Sequence, residues 1–127
     1  MADLETRRRW AGTLAGSLLH YLIADAKRFG KDWRTLLPAH AIEAMHAMDD
    51  LFRTEAAGPE ACGRWFGSIT RSAVSYLAAD VRTAKRAGGN WHARLLAHAQ
   101  AALRVLAEID PAEKAELLAA GEDAGHA

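Results

Sequence analysis

The sequence predicts an all-α protein in which an internally duplicated helical hairpin forms a four-helix bundle with a short C-terminal fifth helix. Three observations carry this. Apolar residues recur at three-to-four spacing through every long segment. A stretch of the first half returns in the second half at a nearly constant offset. Half of the 127 residues are apolar and a quarter charged, which suits one compact domain able to bury a core without disulfides or a structural metal.

The duplication sets the element order. Residues 9–25, RWAGTLAGSLLHYLIAD, align with 64–80, RWFGSITRSAVSYLAAD, at an offset of 55, with eight of 17 positions identical. Val81, Arg82 and Thr83 then shift the offset to 58, and 26–45 matches 84–103 with ten of 20 identical. Three residues are close to one helical turn, so the insertion lengthens a helix with little rotation of its apolar face. The chain therefore divides as a single domain, 1–127, with repeat one at 9–52, a linker at 54–63, repeat two at 64–109, and a C-terminal helix and tail at 110–127.

Each copy reads as an antiparallel helical hairpin. Trp10, Leu14, Leu18 and Leu22 mark the apolar stripe of the first helix, and Leu37, Ala41, Ala44, Met45, Met48 and Leu51 that of the second. Between them, in FGKDW, Gly30 suits a positive-φ C-cap and Asp32 an N-cap. Pro38 falls inside the second helix and predicts a kink or a distorted opening turn there. The linker carries Gly58, Pro59 and Gly63, with Pro59 and Glu60 opening the third helix. Trp65, Ile69, Ala73, Leu77 and Val81 repeat the first stripe; Gly88 and Asn90 repeat the caps; Leu95, Ala99, Ala102, Leu103 and Leu106 repeat the second stripe. Pro111 opens a short helix to about Ala120, with GEDAGHA as a frayed tail.

Composition excludes several classes. No run approaches the ~18 apolar residues of a membrane span. Cys62 is a single cysteine, and MADLETRRRW has no apolar leader stretch, which together predict a cytoplasmic protein. Phosphate-binding glycine loops, zinc cysteine pairs and a nucleophile with its base are not in the sequence, so the expectation is a protein that is not an enzyme.

Two constellations are candidates for chemistry. His40 and His98 are equivalent, as are Asp25 and Asp80, and a carboxylate holding an imidazole is a component of metal and acid–base sites. Glu43, His46 and Asp49 or Asp50 share a helix face with His40, and Glu-x-x-His is an element of di-iron bundles. The second copy has Ala101 and Arg104 in place of Glu43 and His46, so no metal and no cofactor are expected. Trp10, Trp33, Trp65 and Trp91 form two duplicated pairs that read as core anchors, with nucleobase stacking as the other use of such rings. Tyr21 and Tyr76 read as packing residues.

Charge is neutral in sum and segregated along the chain. Residues 7–34 hold seven cations against two carboxylates, net +5, and residues 64–104 hold seven against one, net +6. Residues 35–60 sum to −4 and 105–127 to −5. Arginine outnumbers lysine twelve to four, which suits bidentate contacts to phosphate or carboxylate. Such segregation presents a basic face to phosphates or to an acidic protein. The candidate phosphate-binding residues are Arg7, Arg8, Arg9, Lys27, Arg28, Lys31, Arg34, Arg82, Lys85, Arg86 and Arg94.

The basic turns AKRFGKDW and AKRAGGNW and the RRRW start, on a short helical chain, resemble the small all-helical subunit of CRISPR effector ribonucleoprotein complexes. That resemblance implies a subunit that stacks within an assembly and touches the nucleic-acid backbone through Arg and Lys, in antiviral defence. The expected function is non-enzymatic binding of nucleic acid, DNA or RNA, without reading its sequence. The alternatives are a protein-interaction adaptor or inhibitor with a basic face, and a metal or small-ligand bundle centred on His40 and His98. Self-association is a further possibility.

Overall fold

The computed structural model describes the backbone of residues 3–53 and 59–126, and the side chains of these except 4, 51–53, 59–62 and 120–126. Linker residues 54–58, the Cys62 side chain and the side chains of the GEDAGHA tail lie outside the described residues. Among the described residues the structure is all-helical. The helices are α1 (Leu4–Phe29), α2 (Trp33–Leu36), α3 (Ala39–Arg53), α4 (Pro59–Ala87), α5 (Trp91–Arg94), α6 (Ala97–Glu108) and α7 (Pro111–His126).

Local signals explain most of the boundaries. The Asp3 carboxylate accepts from the Thr6 N–H at 2.8 Å and starts α1 a turn and a half before the duplicated sequence begins. Gly30 and Gly88 end the two long helices with φ of 74° and 76°, a region that costs a side-chain-bearing residue energy. Pro59 opens α4 and Pro111 opens α7. Because α4 begins at Pro59, residues 59–63 belong to a helix and the linker is shorter than the sequence suggested. The last helix also exceeds its expected end near residue 120, reaching His126.

The second helix of each copy differs from the expectation. Asp32 and Asn90 precede α2 and α5 but make no side-chain capping bond, and each of these helices is a single turn. Leu37 and Leu95 then adopt extended backbone, with ψ of 145° and 146°, before α3 and α6 begin. Pro38 follows the first break, yet Leu96 follows an equal one, so proline is not its common cause. Leu37 and Leu95 are both buried, and the extended step turns each side chain into the core.

Positions equated by the alignment are buried in both copies: Leu14 with Ile69, Leu18 with Ala73, Leu22 with Leu77, Leu37 with Leu95, Ala41 with Ala99, and Ala44 with Ala102. Alanines on α3 and α6 let those helices approach the long ones closely. The packing is not that of two self-contained hairpins. α1 packs on α4 and α6, while α3 packs on α4, and α7 lies along α4. Each long helix thus meets the second helix of the other copy. Residue pairs give the sense of the crossings: Tyr21 meets Asp80 where Asp25 meets Tyr76, so α1 and α4 are antiparallel. His20 meets His98 where Trp10 meets Glu108, so α1 and α6 are antiparallel as well.

Trp10 is buried at 4 % exposure and its Nε1–H donates to Glu108 at 3.0 Å. Trp33, Trp65 and Trp91 are half-buried against the core, which corrects the expectation of four mostly buried tryptophans. No described helix is long and apolar enough to cross a membrane.

Candidate nucleic-acid interface

Helix α1 ends with Lys27 and Arg28 in its last turn, where positive charge complements the helix dipole, and α4 ends the same way with Lys85 and Arg86. The glycines that stop these helices reverse the chain at once and put Lys31 and Arg34 beside the first pair, and Arg94 beside the second. Lys27, Arg28, Lys31, Arg34, Arg82, Lys85, Arg86 and Arg94 are all exposed. None of the eight forms an ion pair among the described residues. Three lie over aromatic rings: Arg28 over Phe29 at 5.3 Å, Arg34 over Trp33 at 5.2 Å and Lys85 over Trp91 at 5.2 Å.

The antiparallel sense of α1 and α4 decides where these turns stand. Lys27 lies six residues beyond Tyr21, and Lys85 nine beyond Tyr76, in opposite directions from the crossing. At 1.5 Å per residue the turns stand on the order of 20 Å apart along the helices, on opposite sides of the crossing.

The RRRW start divides. Arg7 is half-buried; its Nε donates to Glu113 Oε1 at 2.7 Å, and its Nη2 stands 2.6 Å from the same oxygen of that buried carboxylate. Arg9 pairs with Glu108 at 3.2 Å, the carboxylate that also accepts from Trp10. Arg8 is exposed. In this structure Arg7 ties α1 to α7, and Arg9, itself exposed, pairs with the end of α6. Spacing could not reveal this, because the partners lie 106 and 99 residues away.

In the C-terminal halves of α1 and α4 a polar cluster joins the two copies. Tyr21 donates to Asp80, and Tyr76 donates to Asp25 at 2.5 Å. His98 packs edge-on against Tyr21 and stacks on His20, ring centroids 4.6 Å apart, while His40 packs edge-on against Tyr76. Burial, together with donation to a carboxylate, holds both phenols well above the ordinary tyrosine pKa. Burial lowers the pKa of His40, with the nearby Arg71 charge adding to the effect. Burial lowers that of His98 as well, reinforced by His20 and opposed by Asp80.

The Asp25 and Asp80 carboxylates thus accept from the tyrosines, and His40 and His98 lie against the tyrosine rings. The signal was present in the sequence, since Tyr and Asp stand four residues apart in both copies, on one helix face. With the phenols kept protonated, the cluster acts as a hydrogen-bonded lock between α1 and α4. Glu43 is half-buried, while His46, Asp49 and Asp50 are exposed. Among the described residues, no three of His, Cys, Asp and Glu converge as metal ligands.

Compared with protein-family models, with curated proteins and with solved structures, the chain matches none.

Proposed function

We propose that this chain is a non-enzymatic helical subunit that holds the backbone of nucleic acid, without reading its sequence, inside a larger assembly. On this reading the fold is a duplicated helical unit, a four-helix bundle with a C-terminal helix, and its approximate twofold sets one basic turn on each side of the α1–α4 crossing. The observation that carries the reading is the contrast among the cations. Arg7 and Arg9 are spent on carboxylates of the fold, whereas eight cations in two equivalent turns are exposed and without ion pairs among the described residues. Uncompensated cations, of which Lys27 with Lys85 and Arg28 with Arg86 stand at equivalent positions, suit phosphates, whose contacts release counterions. The resemblance to the small subunit of CRISPR effector complexes suggests one kind of assembly; the cations themselves point only to phosphate.

Binding of a labelled 20-nucleotide single strand and of a duplex, each in several unrelated sequences, tests this across a salt series. Log affinity should fall with log salt at a slope of roughly −0.7 to −0.9 per phosphate contact. Lys85→Glu with Arg86→Glu should weaken binding equally for all sequences and leave the helical content intact. A folded double variant with unchanged affinity, or a wild type that binds nothing at low salt, would overturn the proposal. The adaptor reading would then take its place, and Leu36 and Leu96 favour it to that extent, being 57 % and 64 % exposed beside the basic turns.

A further inference from the structure

We propose that Trp33 and Trp91 each form a nucleobase-stacking groove, so that the chain takes single-stranded nucleic acid at two places. The inference rests on the phosphate reading above and adds the base to it. One groove, of about 260 Å³, lies between α1 and α3, where Trp33 is joined by Leu22, Ile23, Met45 and Met48. The other, of about 540 Å³, lies along α5 and α6, where Trp91 is joined by Leu103, Gln100 and Arg104. These volumes fall around the lower part of the ~300–1,000 Å³ range of small-ligand clefts.

Five lining positions correspond at the offset of 58, Trp33 with Trp91, Arg34 with His92, Met45 with Leu103, His46 with Arg104 and Asp49 with Ala107, while the α1 wall of the first groove, Leu19, Leu22, Ile23 and Ala26, has no counterpart lining the second. Trp33 and Trp91 stay half open, beside the buried Leu37 and Leu95 of the same turns; Trp65 is half-buried as well but lines neither groove.

The indole faces are already used as π-surfaces. The exposed Arg34 and Lys85 each sit 5.2 Å from a tryptophan ring centroid, and the exposed His92 ring lies against Trp91 with centroids 3.5 Å apart. A flat ring resting on an indole occupies the place a base would take, and an exposed side chain can yield it. Cations stand at both grooves: Arg34 lines the first and Arg104 the second, and the exposed Lys85 lies over the Trp91 ring. They would hold the phosphates on either side of a stacked base.

This combination selects the strand. A base inside a duplex is stacked on its neighbours and cannot reach an indole without unpairing, whereas every base of a single strand offers a free π-face. Polar groups at the two rims differ, with Arg34, His46 and Asp49 at one and Gln100 and Arg104 at the other, so the pair shares stacking and not base-edge readout. The Asp49 carboxylate opposes an anionic strand where Ala107 does not, which makes the Trp91 groove the stronger.

The test uses tetradeoxyadenylate and an abasic tetramer with the same phosphates, titrated against the full chain by calorimetry and tryptophan fluorescence. The base-containing tetramer should bind about tenfold tighter, quench fluorescence, and saturate at two per chain. Trp91→Leu should remove most of the preference for bases and Trp33→Leu the remainder, with salt-dependent phosphate binding retained. Equal affinity for the two tetramers overturns the stacking proposal and leaves the phosphate reading standing; binding of neither overturns both. Should a variant fail to fold, photocrosslinking of a bromodeoxyuridine tetramer to the wild-type chain locates the base. Adducts on the peptides carrying Trp33 and Trp91 support the proposal, and adducts only elsewhere overturn it.

Discussion

The phenol rings of Tyr21 and Tyr76 are stacked, with centroids 4.7 Å apart and planes 7° from parallel. Each hydroxyl donates to the aspartate four residues beyond the other tyrosine, so one face-to-face ring pair carries two crossed hydrogen bonds. The pair holds α1 to α4 at the point where the equivalent residues of the two copies meet.

Tyr76→Phe should cost about 1–2 kcal/mol, because it removes the donor to Asp25 and leaves a half-buried carboxylate without it. A double-mutant cycle with Asp25→Ala, read from urea unfolding, should give a coupling of at least ~0.5 kcal/mol. A coupling near zero would show that the bond adds nothing in solution.

Stability should depend on pH through His40 and His98. Their folded-state pKa values are lowered, so the unfolded chain takes up protons first as pH falls. The contribution is complete above about pH 6.5, the ordinary histidine value, and is lost as pH drops from there towards the folded values. The urea midpoint should thus fall between pH 7.5 and pH 5, and His40→Gln with His98→Gln should flatten that dependence. An equal fall in the double variant would assign the effect to other groups.

Glu113 is 6 % exposed and faces Arg7, so Glu113→Ala should cost about 2 kcal/mol by leaving a half-buried guanidinium without its carboxylate; partial exposure keeps the loss below that of a fully buried pair. Replacing both partners, Arg7→Met with Glu113→Leu, should recover most of it. If the double replacement is as unstable as Glu113→Ala, the loss lies in packing and not in charge.

Trp10→Ala should cost about 3–5 kcal/mol, the range for a large side chain removed from a core. Trp33→Ala should cost less than half as much, since its ring is half open and sits on a single helical turn. Equal losses in denaturant unfolding would mean that Trp33 is a core anchor, and would weaken its assignment to a groove.

Much of the local structure was legible. The 3.6-residue period identified the long helices, and the repeated stripes identified which positions would be buried, because both follow from backbone hydrogen bonds and side-chain directions set within one helix. Gly30 and Gly88 adopt the positive φ that few residues other than glycine tolerate, and Pro59 and Pro111 begin helices whose first N–H groups have no intrahelical partner to lose. The cations of the basic turns could be read in the same way, as runs at the ends of amphipathic helices.

What the sequence alone determined is therefore the helical class, the likeness of residues 9–45 to 64–103 and the identity of many buried and charged positions. The tertiary structure decided which helix meets which. Periodicity says that a stripe must be covered, but many apolar stripes of similar width would serve. The extended steps at Leu37 and Leu95 send α3 and α6 across to the long helix of the other copy. That exchange brought His20 to His98, while the packing of α1 on α4 brought Tyr21 to Asp80. The packing of α7 likewise drew Arg7 into the fold through Glu113. An ion pair or hydrogen bond depends on distances of a few ångströms between residues far apart in the chain, and those distances exist only once the helices have packed.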